Sequence, residues 1–286
     1  MAEAPMRLAI LARDQRPRVQ SAWKELEQFL NSQPGIEIVA TALTNDLDFE
    51  PLDADLVVTL GGDGAILRAC RQLGRKQLPL LGINLGRLGF LADLSPDEFR
   101  TKIDDIRQRN YSVVNHLMFE CQLRRADGTS ESHLGLNEVT VSAAASLRMV
   151  DIELAIDKEV VTTYSCDGLI VSTPTGSTAH SLSAGGPLLR QDLQAFVITP
   201  ICPHTLTNRP LVDSADCVYS LRLPSVPEGV TLVIDGQIKR PLREGDVVEV
   251  SKAPVSFQLA KIPGHSYYKT LHRKLGWGGQ PRYGVD

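Results

Sequence analysis

Residues 56–64, Leu-Val-Val-Thr-Leu-Gly-Gly-Asp-Gly, constrain the fold of this chain more than any other segment. The branched apolar residues predict a buried strand, and the apolar spacing over residues 65–73 predicts a helix directly after it. The glycines between them allow a sharp turn and a close approach of the backbone to a ligand. In open α/β sheets ligands bind at this edge, where the start of a helix favours phosphate. At this point Asp63 is equally well interpreted as a helix N-cap or as a ligand-facing carboxylate.

The order of the periodic segments predicts two domains, for which 286 residues are sufficient. Over residues 1–111 apolar strands alternate with helices, a pattern typical of an α/β domain with a parallel sheet covered on both faces. Over residues 112–262 short strands follow one another with almost no helical spacing, which predicts an all-β, sandwich-like domain. In the tail, residues 263–286, a short helix closed by Gly276 is expected to pack back on the first domain.

Local signals add finer expectations about individual elements. The helix-start signals of Ser95-Pro96-Asp97-Glu98 predict one helix that runs to about Arg109. In the second domain, turns are expected at Asp127-Gly128 and Asp157-Lys158. The alternation there predicts one strand over 131–141 and separate strands over 111–114, 118–124, 247–250 and 255–259.

Composition excludes several classes of function. The hydrophobic fraction of 43% and the charged fraction of 22% are typical of a soluble globular protein, and the net charge of -4 disfavours a nucleic-acid partner. The five cysteines are scattered without a C-x-x-C pair, so we expect neither disulfides nor a zinc site, as fits a reducing cytoplasm. No apolar leader and no apolar run of about 20 residues is present, so neither a targeting segment nor a membrane span is expected.

Several familiar chemical motifs are absent from the sequence. It contains neither a P-loop nor a zinc-binding His-Glu-x-x-His pair nor a Gly-x-Ser-x-Gly elbow. The turn after the strand is not a dinucleotide fingerprint either, because Leu67 occupies the position of its third glycine. The candidate functional groups that remain are glycine-rich turns, hydroxyls and carboxylates.

Three further segments carry such groups. Residues 165–187 place Asp167 before an apolar strand and many hydroxyls after it; these groups suit the hydroxyls of a sugar and the edge of a base, or form a turn that bonds its own backbone. Asn137-Glu138 interrupts an apolar β pattern, so one of its side chains needs a partner in a ligand, unless the pair is an ordinary surface bulge. Asp235-Gly236-Gln237 is a weaker signal, because Asp-Gly after a strand is usually a turn. The remaining histidines of interest, His116, His204 and His272, are expected to be structural or exposed.

In combination, these segments closely resemble the NAD kinase family. The resemblance covers roughly residues 56–237 and rests on Gly61-Gly62-Asp63-Gly64, residues 82–91, Leu136-Asn137-Glu138, residues 167–170, residues 173–179 (Thr-Pro-Thr-Gly-Ser-Thr-Ala) and Asp235-Gly236-Gln237. Gly-Gly-Asp-Gly alone also occurs in diacylglycerol and sphingosine kinases and in phosphofructokinases. The Thr-Pro-Thr-Gly-Ser-Thr-Ala run and the Asn-Glu pair single out NAD kinases.

The resemblance implies an activity and a set of partners. NAD kinases convert NAD and ATP, or in some members polyphosphate, to NADP with a divalent cation, Mg or Mn. The family implies an NAD site between an α/β domain and a β-sandwich-like domain, in a homo-oligomer that is commonly a dimer or a tetramer. The metal ligands are not identified by the resemblance.

The resemblance also implies roles for individual residues. Asp63 would activate or orient the 2′-hydroxyl of the adenosine ribose as the catalytic residue. His180 stands where many members have Tyr, and an imidazole can still stack on adenine with less area. The residues expected to bind NAD are Gly62, Asp63, Gly64, Asn137, Glu138, Asp167, Thr175, Thr178, Ala179, His180, Ser183 and Gln237. The residues expected to bind ATP or its phosphates are Gly61, Gly62, Gly64 and Arg68.

Two other functions are weighed against this one. A lipid kinase would share the Gly-Gly-Asp-Gly turn but would bind membranes, and the sequence shows no basic amphipathic helix for that purpose. A non-catalytic NAD or NADP sensor would keep Asn137 and residues 175–179 but could dispense with Asp63. The intact Asp63 argues against the sensor.

Overall fold

The computed structural model describes residues 4–12, 16–43, 47–86, 89–92, 94–143, 149–205, 207–264 and 266–276. The chain divides into two compact units, one formed by Met1–Val114 with Gln258–Asp286 and the other by Asn115–Phe257. These limits differ by a few residues from the expected ones, after residues 111 and 262, because one strand runs through each of the two junctions.

The first unit begins with alternating strands and helices. Its elements up to the first junction are β1 (Met6–Leu11), α1 (Pro17–Asn31), β2 (Ile36–Ala42), β3 (Leu56–Leu60), α2 (Asp63–Leu73), β4 (Leu80–Ile83), α3 (Pro96–Thr101) and α4 (Ile103–Arg107).

The second unit consists almost entirely of strands. The elements from the first junction onward are β5 (Ser112–Arg124), β6 (Ser130–Gly135), β7 (Glu138–Ser142), β8 (Val150–Ile156), β9 (Glu159–Cys166), β10 (Gly168–Ser172), α5 (His180–Ser183), β11 (Ala195–Ile201), β12 (Leu211–Ser214), β13 (Tyr219–Arg222), β14 (Thr231–Ile234), β15 (Ile238–Pro241) and β16 (Val247–Lys261), followed in the first unit by α6 (Tyr267–Leu275).

The sheet of the first unit is parallel, as the alternation predicts. Its strands lie in the order β2, β1, β3, β4, and Leu259 near the end of β16 pairs in parallel with Leu80 of β4. All residues of β3 are buried, which is expected of a central strand with helices on both faces. The α/β class of the first domain is confirmed.

The strand order reverses between β1 and β3. From β1 the chain proceeds to β2 on one side, whereas from β3 it proceeds to β4 on the other. In open α/β sheets this reversal opens a crevice at the carboxyl ends of the two strands, where ligands bind. The Gly61-Gly62 turn follows the carboxyl end of β3 and therefore lies at this position.

The second unit is a sandwich of antiparallel sheets. One sheet has the order β12, β11, β10, β7, β14, β15, and the other contains β9, β8, β13 and β16 together with β5 and β6. Residues from both sheets form one apolar core, in which Phe196 and Tyr219 pack edge to face with ring centroids 5.5 Å apart. The expected sandwich-like domain is therefore confirmed.

Several predicted boundaries are wrong. Residues 112–114 and 118–124 belong to the single strand β5, which leaves Tyr111 outside, and residues 247–250 and 255–259 belong to the single strand β16. The predicted strand over 131–141 is two strands, because the N–H groups of residues 136–138 bond a side chain instead of a neighbouring strand. The predicted helix from Ser95 to Arg109 is divided into α3 and α4 at Lys102, whose ψ of 12° departs from helical geometry.

Other local predictions are confirmed. Asp127-Gly128 and Asp157-Lys158 lie in the β5–β6 and β8–β9 connections, and the second pair has the positive φ angles of a tight hairpin turn. Helix α6 ends at Gly276 in the left-handed conformation, and Lys274 Nζ lies 4.4 Å from the ring centroid of Phe90 within the first unit. None of the described helices has the length and apolar character needed to cross a membrane.

The core of the sandwich yields a stability prediction. Phe119 on β5 is fully buried, so Phe119→Ala should lower the free energy of unfolding by about 3–5 kcal/mol through lost transfer energy and a residual cavity. Val161 on β9 is 50% exposed, so the control Val161→Ala should change it by no more than about 0.5 kcal/mol. Urea denaturation measures both. Equal losses in the two variants would contradict this description of the core.

Candidate active site

The turn after β3 requires glycine at its first position. Gly61 has a φ of +144°, and a Cβ on it would lie 2.7 Å from the Cβ of Ala65. Its N–H donates to the carbonyl of Ile83 at 2.9 Å, which anchors the turn to the end of β4. Gly62 is the N-cap of α2, so Asp63 is the first residue of the helix and not its cap. Of the two interpretations of Asp63, the N-cap is wrong.

The Asp63 carboxylate is held by the segment that follows β4. The N–H groups of Phe90, Leu91 and Ala92 donate to it at 2.8, 3.0 and 3.1 Å. A Cβ at position 89 would lie 2.0 Å from Asp63 Oδ1, so Gly89 is needed for this approach. The side chain is half-buried and its orientation is determined by these bonds. Residues 87 and 88 of the same motif lie outside the described residues.

A cavity of about 280 Å³ lies beside the glycine turn in the first unit. Gly61 and Gly62 are among its lining residues, whereas Gly64 and Arg68, which were also expected to bind phosphate, are not. Arg68 lies half-buried on α2. Among the described residues, the cations that line the cavity are Arg16 and Arg18, neither of which was expected from the sequence.

In the second unit, the Asp235 carboxylate organises the Asn137-Glu138 pair. It accepts hydrogen bonds from the N–H groups of Leu136, Asn137 and Glu138 at 2.9, 2.7 and 3.1 Å. Asp235 itself has a φ of +49° in the tight turn between β14 and β15. The expected turn is therefore present, but the buried carboxylate also bonds a distant segment, which the local turn signal did not predict.

The Asn137-Glu138 pair has oxygens that no described residue satisfies. Glu138 is only 7% exposed, so the interpretation of this pair as a surface bulge is wrong. Among the described residues, neither Oε2 of Glu138 nor Oδ1 of Asn137 has a hydrogen-bond partner. Burial, together with the nearby charge of Asp235, raises the pKa of Glu138 to about 8. At neutral pH this carboxyl is therefore largely protonated and can donate a hydrogen bond.

The hydroxyls of residues 173–178 mostly bond their own surroundings. Thr173 Oγ1 donates to the carbonyl of Leu136 at 2.5 Å, and Ser177 Oγ donates to the carbonyl of Pro174 at 2.6 Å. A Cβ on Gly176 would lie 2.1 Å from the carbonyl oxygen of Asn137. Of the two interpretations of this segment, self-bonding describes these hydroxyls, and they hold the loop against the Asn137-Glu138 pair.

The other expected residues differ in their exposure. Thr175 is buried and its Oγ1 lies 3.1 Å from Nδ1 of His116, which is itself buried beside the loop. Asp167 is exposed, with an oxygen 3.7 Å from His204 Nε2. Thr178, Ala179 and Gln237 are half-buried, whereas His180 and Ser183 are exposed on α5. The structure thus gathers Asn137, Glu138, Thr175 and Asp235, and leaves Asp167, His180 and Ser183 on the surface of the unit.

The raised pKa of Glu138 predicts a dependence of stability on pH. Its folded-state pKa of about 8 exceeds the value of 4.5 expected when unfolded, so its stabilising effect is complete below pH 4.5 and is lost as the pH rises to about 8. Glu138→Gln should remove this loss and be more stable than the unmodified protein at pH 9, by roughly 3–5 kcal/mol. Thermal denaturation from pH 4 to 9 measures the difference. The exposed Glu244→Gln is the control, and an unchanged pH profile in Glu138→Gln would contradict the prediction.

Family models match both parts of the chain. Residues 8–111 match the ATP-NAD kinase N-terminal domain, and residues 136–262 match the ATP-NAD kinase C-terminal domain. Among solved structures, yeast NADH kinase complexed with NADH has a TM-score of 0.89 at 24% identity and covers 98% of this chain and 90% of its own. An NAD kinase from Archaeoglobus fulgidus in complex with ATP has a TM-score of 0.72 at 29% identity and covers 96% of this chain and 100% of its own.

Relatives that are named NAD kinase match nearly the whole chain in sequence. NAD kinase of Rhodopirellula baltica is 47% identical over 276 residues, which are 96% of this chain and 88% of the relative. NAD kinase of Geotalea daltonii is 38% identical over 280 residues, which are 95% of this chain and 99% of the relative. On these matches, this chain belongs to the NAD kinase family, the enzymes that phosphorylate NAD to NADP.

Proposed function

We propose that Asp63 activates the 2′-hydroxyl of the adenosine ribose of NAD for attack on the terminal phosphoryl group of ATP, which gives NADP and ADP. The observation that carries this proposal is the set of three amide bonds that orient the Asp63 carboxylate at the carboxyl end of β3. Phosphoryl transfer asks a protein mainly for positioning and charge stabilisation, so an oriented carboxylate suits it.

The amide hydrogen bonds to Asp63 leave one lone-pair site of its carboxylate for the substrate. An ionised carboxylate offers about four lone-pair sites, and the amides of residues 90–92 occupy three of them. Oδ2 accepts from Phe90 N, whereas Oδ1 accepts from both Leu91 N and Ala92 N. The remaining site on Oδ2 is the one that we assign to the 2′-hydroxyl, whose proton the carboxylate accepts as the bond to phosphorus forms.

For NAD itself, the buried oxygens of the second unit provide the strongest support. Oδ1 of Asn137 is an acceptor, and the largely protonated Glu138 both donates and accepts, so the pair suits the hydroxyls and amide of a nucleotide. The adenine is assigned to Thr178, Ala179 and His180, with the imidazole stacking on the base. The other proposed NAD contacts are Gly62, Gly64, Asp167, Thr175, Ser183 and Gln237, and the proposed contacts to the ATP phosphates are Gly61, Gly62, Gly64 and Arg68.

A divalent cation, Mg or Mn, is part of the proposal. No group of three or more His, Cys, Asp or Glu in the described ranges is arranged to hold a metal. Mg²⁺ in phosphoryl-transfer sites is commonly bound through substrate phosphates and waters, so the donor phosphates would hold the cation, which would neutralise their charge. No residue of the chain is assigned as its ligand, because the one lone-pair site of Asp63 that the amides leave is assigned to the 2′-hydroxyl.

The setting of the enzyme is proposed on the family resemblance and on its cysteines. All five cysteines are free thiols, which supports a reducing cytoplasm. We propose a homo-oligomer, either a dimer or a tetramer, and polyphosphate as a second phosphoryl donor in place of ATP.

The deciding experiment is to incubate purified protein with NAD, ATP and magnesium and to detect NADP with an NADP-specific dehydrogenase. NADP formation supports the proposal. Binding of NAD without NADP from either ATP or polyphosphate would favour the sensor, and phosphorylation of a lipid alone would favour the lipid kinase.

Removal of the carboxylate charge tests Asp63. Asp63→Asn should lower kcat by about 10²- to 10⁴-fold while the affinity for NAD stays roughly unchanged, because the base is lost but the second-unit contacts remain. Initial rates of NADP formation and calorimetric titration with NAD give the two quantities. Asp104→Asn, which changes an exposed carboxylate on α4, is the matched control. Near-normal turnover in a folded Asp63→Asn protein would remove Asp63 from this role.

The role of Asp63 can also be tested by displacing its carboxylate while the residue itself is kept. Gly89→Ala places a Cβ within 2.0 Å of Asp63 Oδ1, so the carboxylate or residues 90–92 must move. We expect kcat to fall by at least about tenfold, since the reacting groups lose their alignment. Rates that match those of the unmodified enzyme would show that the amide bonds do not position Asp63 for catalysis.

A further inference from the structure

The cavity of about 280 Å³ beside the glycine turn lies at the reversal of strand order in the first unit. It takes residues from the segments that follow β1, β3 and β4, the three adjacent parallel strands. Ligands in open α/β sheets bind where these segments meet, outside the carboxyl ends of the strands. The lining residues are Arg16, Arg18, Val19, Gly61, Gly62, Asn84, Leu85 and Gly86.

The charge of this cavity differs from that of the whole protein. The chain has a net charge of -4, yet the cavity's lining residues within the described ranges include two arginines and no acidic residue. A larger cavity of the same unit, about 450 Å³, has Lys269 and Arg273 in its lining but also Glu98. The smaller cavity is therefore the better suited of the two to a strongly anionic group.

Arg18 is the residue best placed to bind an anion here. Its side chain is exposed, and within the described part of the chain no carboxylate pairs with it. A guanidinium presents a planar set of N–H donors that matches phosphate oxygens. Gly62, on the opposite segment, has no side chain to keep a phosphate away from the backbone.

We propose, on the basis of the function proposed above, that this cavity holds the phosphate chain of the donor and that Arg18, with Arg16 beside it, binds those phosphates. Asp63 follows directly on the cavity residue Gly62, so donor phosphates would lie close to a carboxylate and need compensating positive charge. The volume lies below the roughly 300–1,000 Å³ of pockets that enclose a whole drug-sized ligand, so the nucleoside extends outside. The proposal thus places a phosphate-binding cation, Arg18, in helix α1, in addition to the expected Arg68 on α2.

The test compares three variants that each remove one positive charge. Arg18→Ala should raise the Kd for ATP, measured by calorimetry without NAD, by about tenfold or more, because a charge-assisted hydrogen bond is lost. The KM for ATP should rise in parallel while the KM for NAD stays the same. Lys24→Ala, on an exposed position of the same helix α1 but outside the cavity, should leave all three constants unchanged. Arg68→Ala measures, through the same three constants, the contribution of the cation that was expected from the sequence.

Loss of a direct contact between Arg18 and phosphate should also change how the Kd for ATP depends on salt concentration. The Kd for ATP should rise less steeply with added salt in Arg18→Ala than in the unmodified enzyme, because one screened charge pair is missing. Unchanged ATP affinity in Arg18→Ala, an equal rise in the KM for NAD, or an unchanged salt dependence would each overturn the proposal.

The outcome is separable from that of the proposed function. The function fails if the unmodified enzyme forms no NADP, whereas the assignment of Arg18 depends on ATP binding measured without NAD. Because Arg18 is exposed, its removal should leave the thermal midpoint within the range of the Lys24→Ala control, which shows that both proteins are folded.

Discussion

Two carboxylates that each accept hydrogen bonds from three consecutive backbone N–H groups determine the geometry of the candidate site. Asp63 accepts bonds from residues 90–92 in the first unit, and Asp235 accepts bonds from residues 136–138 in the second. Hydrogen bonds to an ionised acceptor are stronger than neutral ones, and amides left without a partner when buried are costly. Each carboxylate therefore fixes a segment that would otherwise have no regular pairing.

In the first unit, this constraint and the topology of the sheet act at the same place. The strand reversal puts the ends of β1 and β3 side by side, and the glycines at the end of β3 leave space for a ligand to approach the backbone. The oriented carboxylate of Asp63 and the arginines of the adjacent cavity then place opposite charges at this edge of the sheet. Such a separation of charges is what a transfer between an alcohol and a polyphosphate requires.

In the second unit, the fold accepts an energetic cost at the Asn137-Glu138 pair. Burying polar oxygens without hydrogen-bond partners costs free energy of folding, and the same desolvation is the main cause of the raised pKa of Glu138. Their backbone N–H groups are fully satisfied by Asp235, so the cost is confined to the side chains. A ligand with hydroxyl and amide groups would relieve that cost on binding, in keeping with the NAD contacts proposed for this pair.

The sequence by itself determined the elements whose cause is local. The strand and helix on either side of Gly61-Gly62, the tight turn at Asp157-Lys158 and the end of α6 at Gly276 each depend on residues within a few positions of one another. Only the tertiary structure decided that Asp235 bonds residues 97–99 positions before it and thereby ends the predicted strand over 131–141. It also decided that Arg18, from the segment after another strand, shares a cavity with the glycine turn. Periodicity and turn signals act over a few residues, whereas these contacts arise only when distant segments meet in the folded sheet.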